Sequence, residues 1–545
     1  MFFLIHIQGA EHSYTILSLA GAIFVIPFIL FASLAGTLAD RYSKRFMIYC
    51  TRVMEVLITC LGMLAFAFKS VISGYAILFL LSLHSTIFSP CKYGIIPEIV
   101  PKQKIPHYNG IISATTYLAI ILGTFFASFL TQLTHENFTQ AASFTFFIAL
   151  TGALASLGLQ KTTAQAAFKK LSINFFSGIF STLRRARERR YLFPTIVFGA
   201  YFLFMGAYVQ LNMIPFALQS LNMSEVQGGY LFLMTAIGIG LGSFCAGQLS
   251  GYEAEVGFVP IGALGSAICF ILLYLFHSYF YAIVILLFFL GVFGGFFIVP
   301  IEIFIQVASP DADRGENVAA ANFLSFIGVI LASFVLAFLG NGLGLSAAAG
   351  FGVIGIITLI VTLLLGLLFA DQVCRLGLFV IGSLFWNLKV VGKRRLNTQP
   401  PIVIVGQRRS WLDILIIMAT LPRQVRYIVP TEPDTRRHPL YYKLFKVIPL
   451  DTSYYAPIGE PVLDEIKKEL SQGHSVCIMH PIVEGDPKMK EWREQVEDWL
   501  TDTDVHAMPL YISHGGSLEA SSRWRQFFTL FGTTVKVGFG LPIDF

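Results

Sequence analysis

The sequence predicts a polytopic α-helical membrane protein followed by a smaller α/β domain, and three observations carry that prediction. Of 545 residues, 55% are hydrophobic and 13% charged, where a soluble domain carries about a quarter charged. Mean hydropathy is +0.70, so most of the chain is solvated by lipid. Apolar runs of about 20 residues, the length that crosses a bilayer, recur as far as residue 370 and then stop. The net charge of +6 gathers in loops and the last third, without the basic stripe or stacking platform that nucleic acid requires. Anionic membrane lipids are the expected partners instead. Cys50, Cys60, Cys91, Cys245, Cys269, Cys374 and Cys477 are scattered, mostly inside apolar runs. No CxxC or metal-ligand spacing occurs, so they read as core residues and no metal is expected.

Residues 1–7 form an apolar stub too short to cross a membrane, without the basic segment and cleavage site of a signal peptide. Eleven runs of spanning length follow, at 14–37, 46–68, 71–91, 110–133, 139–160, 191–216, 225–248, 257–276, 280–305, 318–340 and 344–370. Their connections alternate in charge. Arg41, Lys44 and Arg45 lie in the first; Lys92, Lys102 and Lys104 come two crossings later; after two more comes the basic segment 161–190. The intervening loops at 135–137 and 277–279 have no Lys or Arg, so the basic connections are expected in the cytoplasm. A bundle with an even number of crossings would need one more helix before residue 11. The stub reads as its end, the first helix being cut short by a late choice of start site or by a real truncation.

Gly36-Thr37-Leu38-Ala39-Asp40-Arg41-Tyr42-Ser43-Lys44-Arg45 reads as a short mixed-charge loop between the first two runs, its charges lying in water. Asp40, with Arg41, stands beside a helix terminus, where a carboxylate can bridge two helices in one state and release them in another. Ionisable residues at membrane depth are further candidates. Arg52 and Glu55 are three apart, hence on one helical face; His84 lies in the third run and Glu302 late in the ninth. With Arg45 and Lys92 these make the candidate transport and gating set: Asp40, Arg41, Arg45, Arg52, Glu55, Lys92 and Glu302. The competing reading puts each near a helix end, snorkelling or paired.

A weak internal repeat runs through the spans. Gly36/Gly247, Pro90/Pro300 and Asn109/Asn322 are each separated by about 210 residues, which suggests two six-helix halves with a site between them. The loop at 36–45 resembles the signature loop of the major facilitator superfamily, with Ser43 where glycine is usual. Ser89-Pro90-Cys91-Lys92-Tyr93-Gly94-Ile95-Ile96-Pro97-Glu98 is similar to a segment of that superfamily's bacterial lysophospholipid transporter branch. So is the set Pro300, Gln306, Ser309-Pro310, Arg314-Gly315 and Ala321-Asn322-Phe323. The resemblance covers 14–370 and implies a major facilitator fold in the bacterial inner membrane, with a lysophospholipid as cargo.

After residue 370 the pattern changes. Residues 371–399 read as an interfacial amphipathic linker, helical to 392, between a transporter domain at 1–370 and an α/β domain at 400–545. Strands are expected at 402–405, 476–479, 507–512 and 535–537, and helices at 461–471 and 488–500. Gln407-Arg408-Arg409-Ser410-Trp411-Leu412-Asp413, Leu444-Phe445-Lys446-Val447-Ile448-Pro449, His480-Pro481-Ile482-Val483-Glu484-Gly485 and Met508-Pro509-Leu510 with Gly516-Ser517 resemble, in order, the four motifs of the glycerolipid acyltransferases that reacylate lysophospholipids. The resemblance implies motif positions at Arg408, Asp413, Glu484 and Gly485, no bound cofactor, an acyl-carrier-protein or CoA thioester as acyl donor, and acyl carrier protein as a partner. In that family a histidine stands where this chain has Arg408, and arginine stays protonated and cannot act as general base. The tail is therefore expected to keep the fold with impaired catalysis and to bind lipid headgroups through Arg408, Arg409, Lys488 and Lys490. Two readings compete: a working transporter–acyltransferase, and a carrier of another amphiphile with the tail as scaffold. His438, His474, His480, His506 and His514 lie in the tail, and nothing in the sequence places any of them against Asp413.

Overall fold

The computed structural model describes residues 3–4, 7, 13–101, 104–135, 137–164, 175–189, 191–223, 225–250, 255–385, 387–392, 402–408, 411–421, 425–431, 448–451, 466–470, 475–481, 506–514 and 534–540. The chain divides into two compact units, Met1–Leu365 and Gly366–Phe545.

Among the described residues the regular elements of the first unit are all helices, because a backbone solvated by lipid must satisfy its own N–H and C=O groups. Its helices are α1 (Ser13–Leu30), α2 (Ala32–Arg41), α3 (Lys44–Ala67), α4 (Val71–Gly94), the single turn α5 (Ile96–Ile99), α6 (Ile105–Leu133), α7 (Phe138–Ser156), α8 (Phe175–Arg187), α9 (Leu192–Leu221), α10 (Glu225–Leu249), α11 (Phe258–Leu275), α12 (Phe280–Ala308), α13 (Arg314–Ala337) and α14 (Ala347–Leu368). Among the described residues nine helices are long and apolar enough to cross a membrane, and the pair α1/α2, bent by 48°, makes a tenth. The 29-residue helix α6 occupies the place of the fourth expected run.

The segment 36–45 is not the loop its charges suggested. Helix α2 continues through Arg41, α3 starts at Lys44, and only Tyr42 and Ser43 separate them. Ser43 caps α3 by accepting from the Phe46 N–H, which leaves two residues for the turn. Nor do its charges all lie in water: Asp40 and Lys44 are both 0% exposed.

Close helix packing comes from glycine. On α10, Gly238 and Gly242 face Phe288 and Val292 of α12, while Gly291 and Gly295 of α12 face Thr235 and Ser243 of α10. A Cβ at any of the four would overlap the partner's backbone. Such four-residue spacings of small residues let helices approach where lipid offers no hydrophobic drive.

The second unit is α/β. Its elements are α15 (Ala370–Phe385), β1 (Lys389–Val391), β2 (Ile402–Arg408), α16 (Trp411–Thr420), β3 (Val425–Thr431), β4 (Ile448–Asp451), β5 (Ser475–Pro481), β6 (His506–His514) and β7 (Val535–Phe539). The strands form one sheet in the order β1-β7-β6-β2-β5-β3-β4, parallel throughout except between β6 and β7. Ile404, Met479 and Met508 from the sheet pack with Leu412, Ile416 and Ile417 of α16 in its core. The expected linker at 371–399 does not stay helical to 392. Lys389–Val391 pairs with β7, as β-branched Val390 and Val391 favour, and α15 is tied to this unit by an Arg375 Nη1 bond to the Leu421 carbonyl (3.1 Å). Strands β3 and β4 are not among the expected ones, although Tyr427-Ile428-Val429 carries a strand signal.

Candidate functional site: a clasp between two helical halves

The first half of the bundle (α1–α7) and the second (α9–α14) meet through polar contacts centred on Asp40. Its Oδ1 accepts the Gly315 N–H at 2.6 Å and its Oδ2 the Glu316 N–H at 3.0 Å. Both donors belong to the first turn of α13, whose opening N–H groups have no intrahelical acceptor and where the helix dipole is positive. A carboxylate from one half thus caps a helix of the other. The approach requires two glycines. A Cβ on Gly315 would sit 2.6 Å from Asp40 Oδ1, and one on Gly36 would sit 2.8 Å from both the Ala319 Cβ and the Glu316 Cα.

Further contacts surround this cap. Glu316 Oε2 accepts from Arg185 Nη2 on α8 at 2.5 Å, and Glu316 Oε1 from Thr37 at 3.5 Å. Arg185 is nearly half exposed, so its pair contributes about 1 kcal/mol at most. Asn109 of α6 and Gln306 of α12 exchange two amide bonds, 3.1 and 2.7 Å. Asn322 of α13 donates to Ser89 of α4 at 2.9 Å. The two asparagines paired by the repeat therefore each cross to the opposite half. Ser113 of α6 donates to Glu302 of α12 at 2.7 Å. Phe28, near the end of α1, stacks on Phe326 in the middle of α13, centroids 3.8 Å apart.

Behind the clasp lies a buried ion pair within the first half. Lys44 Nζ donates to Glu98 Oε1 at 2.5 Å, the side chains 0% and 8% exposed. Helix α4 makes room for the lysine at Gly94, where a Cβ would lie 2.8 Å from Lys44 Cε. Two buried charges are tolerable only as such a pair.

The other candidates fall into separate places. Arg41 lies over the Tyr42 ring at 5.7 Å. Arg45 binds the connection after α7, through Nη2 to the Leu157 carbonyl (3.2 Å) and its backbone N–H to Thr162 (3.1 Å). Lys92 donates to Thr116 at 2.7 Å. Arg52 and Glu55 pair at 2.6 Å in the interior of α3, and Glu302 lies six residues before the end of α12, so these three are not terminal residues snorkelling to the surface. In the tail, Asp413 is buried at the start of α16. The register sets Gln407 beside His480 and Arg408 beside Pro481, at the carboxyl ends of parallel strands, where α/β sheets bind ligands. Glu484, Gly485, Arg409, Lys488 and Lys490 lie outside the described residues. Burial pushes the Cys477 thiol up to about 12, which keeps it protonated and inert; Cys60, by contrast, is exposed rather than in a core.

Sequence reasoning missed Glu98, Gly315, Glu316, Arg185, Gln306 and Ser113. Glu98, Gly315 and Gln306 fall inside or beside segments singled out for resemblance. The others carry no local signal, because each is defined by a partner far along the chain.

Comparison with known proteins gives this arrangement a lineage. A family model described as Major Facilitator Superfamily matches residues 1–252 and 196–375. The chain is 30% identical over 315 residues to Lysophospholipid transporter LplT of Klebsiella pneumoniae subsp. pneumoniae, which covers 56% of this chain and 73% of that protein. The LplT of Citrobacter koseri is 29% identical over 318 residues with the same coverage. Among solved structures, the human organic anion transporter MFSD10 (TETRAN) matches with a TM-score of 0.55 at 15% identity, covering 64% of this chain and 82% of its own. The Escherichia coli fucose:proton symporter FucP gives 0.53 at 15%, covering 67% and 93%. At such identities the two structures speak to the fold alone.

Proposed function

This chain belongs to the major facilitator superfamily, and from that membership we propose that it carries lysophospholipids across a bacterial inner membrane by opening its bundle alternately at either end. The observation that carries the cargo is the 30% identity, over 73% of their length, to proteins named lysophospholipid transporters. The gate is the Asp40 cap on α13. Arg41, Lys44 and Arg45 beside it support a cytoplasmic location for this end by the positive-inside rule, and on this reading the clasped arrangement is the state closed toward the cytoplasm. Release of the two N–H bonds lets the halves part there, while the Lys44–Glu98 pair keeps the first half rigid.

Reconstituted in liposomes with labelled lysophosphatidylethanolamine in one leaflet, the protein is expected to move the label across well above the protein-free rate. Equal rates with and without protein, under every imposed ion gradient, contradict the reading.

The α/β unit is proposed to receive or hold the transported lipid as an acyltransferase-like domain. In a working enzyme of that kind, the lysolipid hydroxyl attacks the acyl thioester carbonyl, a base takes the hydroxyl proton and the thiol leaves. With Arg408 at the base position, purified protein given lysophosphatidylethanolamine and an acyl-carrier-protein thioester is expected to form no diacyl product, and Arg408→His to form some. Product from the unmodified protein that vanishes in Asp413→Ala would instead establish the bifunctional reading.

A further inference from the structure

Arg52, Glu55 and His84 form a polar cluster, two charges and an imidazole, that the Asp40 clasp does not use. Arg52 is eight residues and Glu55 eleven residues into α3, which at 1.5 Å per residue puts them about 12 and 16 Å along the helix. That is close to the middle of a hydrocarbon layer about 30 Å thick. A charge at this depth costs about 2.5–3.5 kcal/mol or more, yet the pair is not sealed off. Its side chains are 29% and 25% exposed. Arg52 is held on one side by the Phe88 ring, its guanidinium 4.3 Å from the centroid. Toward α7 it meets Gly152, where even an added Cβ would stand 3.9 Å away.

His84 supplies the second observation. Its side chain is 7% exposed and its Nε2 lies 3.9 Å from Glu55 Oε2, beyond hydrogen-bond reach. That nitrogen is buried and has no hydrogen-bond partner among the described residues. A buried polar atom without a partner beside a half-open ion pair calls for a donor from outside the protein, a water or a ligand group, to complete it.

We infer that Arg52, Glu55 and His84 bind a zwitterionic phosphoethanolamine headgroup, Arg52 taking the phosphate and Glu55 the ammonium. The inference rests on the lysophospholipid reading above and names the headgroup. Guanidinium and phosphate form paired charge-assisted bonds, and an ammonium offers three donors, enough for the Glu55 carboxylate and His84 Nε2 together. The Arg52–Glu55 pair is thus a ground state that the headgroup replaces charge for charge, so neither ion is left uncompensated. Because the pair is open to its surroundings, the headgroup can reach it while the acyl chain stays in hydrocarbon.

The test is equilibrium binding of radiolabelled lysolipids to the full-length protein in nanodiscs. Glu55→Gln is expected to weaken lysophosphatidylethanolamine about tenfold and leave lysophosphatidate, which has no amine, within twofold. Arg52→Gln is expected to weaken both about tenfold or more. Equal affinity of all three proteins for lysophosphatidylethanolamine overturns the headgroup site while leaving lysolipid transport standing. No binding of any lysolipid by the unmodified protein overturns transport and site together. If Glu55→Gln does not fold, Glu55→Asp gives the same reading: a loss confined to the amine-bearing lipid supports the site, and equal losses on both overturn it. Glycerophosphoethanolamine, the same headgroup without an acyl chain, is expected to compete weakly; competition as strong as the lysolipid's would overturn the lipid assignment in favour of a soluble phosphodiester.

Discussion

Asp40→Asn is expected to lower lysophospholipid transport by roughly 30- to 100-fold while leaving the protein folded. The carboxylate makes two charge-assisted bonds to the first turn of α13, each of a kind contributing about 1.5–3 kcal/mol. An asparagine keeps the shape but loses the charge, and its amide nitrogen meets an N–H instead of accepting from it. A net loss of about 2–3 kcal/mol moves a two-state equilibrium by about 30- to 150-fold. The bundle then rests open at the basic end and returns too rarely to load cargo. Folding is expected to survive because Gly36 and Gly315 still allow the close approach of α2 and α13. Transport unchanged in Asp40→Asn, measured by leaflet-to-leaflet movement of labelled lysolipid, removes Asp40 from the gate.

The second large effect is expected at Lys44. Lys44→Met leaves the Glu98 carboxylate, 8% exposed, without its counter-charge, and breaking a buried pair from one side costs about 3–5 kcal/mol. The folded yield should fall sharply, and the melting temperature by roughly 10 °C. The diagnostic is rescue. Glu98→Gln added to Lys44→Met removes the stranded charge and should recover most of the loss, whereas Glu98→Gln alone should destabilise by a similar amount. Additive losses in the double variant, measured by thermal melting in detergent, would show that the pair is not coupled.

The membrane half was legible in the sequence because lipid permits so few alternatives. Runs such as 280–305 had to become helices, and α12 at Phe280–Ala308 differs from that run by only three residues at one end. The same reasoning failed at 36–45. Charge normally marks a loop, but here Asp40 is neutralised by backbone groups 275 residues away and Lys44 by Glu98 across two helices, so the helix runs on. Local sequence cannot show a compensation that only tertiary structure supplies. Asn109 and Asn322 were recognisable as equivalent positions, but not their partners Gln306 and Ser89, which follow from how the halves face each other. In the tail, Asp413 and Arg408 are singled out by resemblance alone. The neighbourhood of His480 and Gln407 needed the strand register.

The most direct test of the gate is the distance across its basic end. With the native cysteines replaced by serine, spin labels at Tyr42→Cys in the first half and Val307→Cys in the second, both exposed positions, report that distance by double electron–electron resonance. A single short distance is predicted for the unliganded protein, with a longer population appearing on addition of lysophosphatidylethanolamine and dominating in Asp40→Asn. One unchanged distance under all three conditions would contradict the clasp.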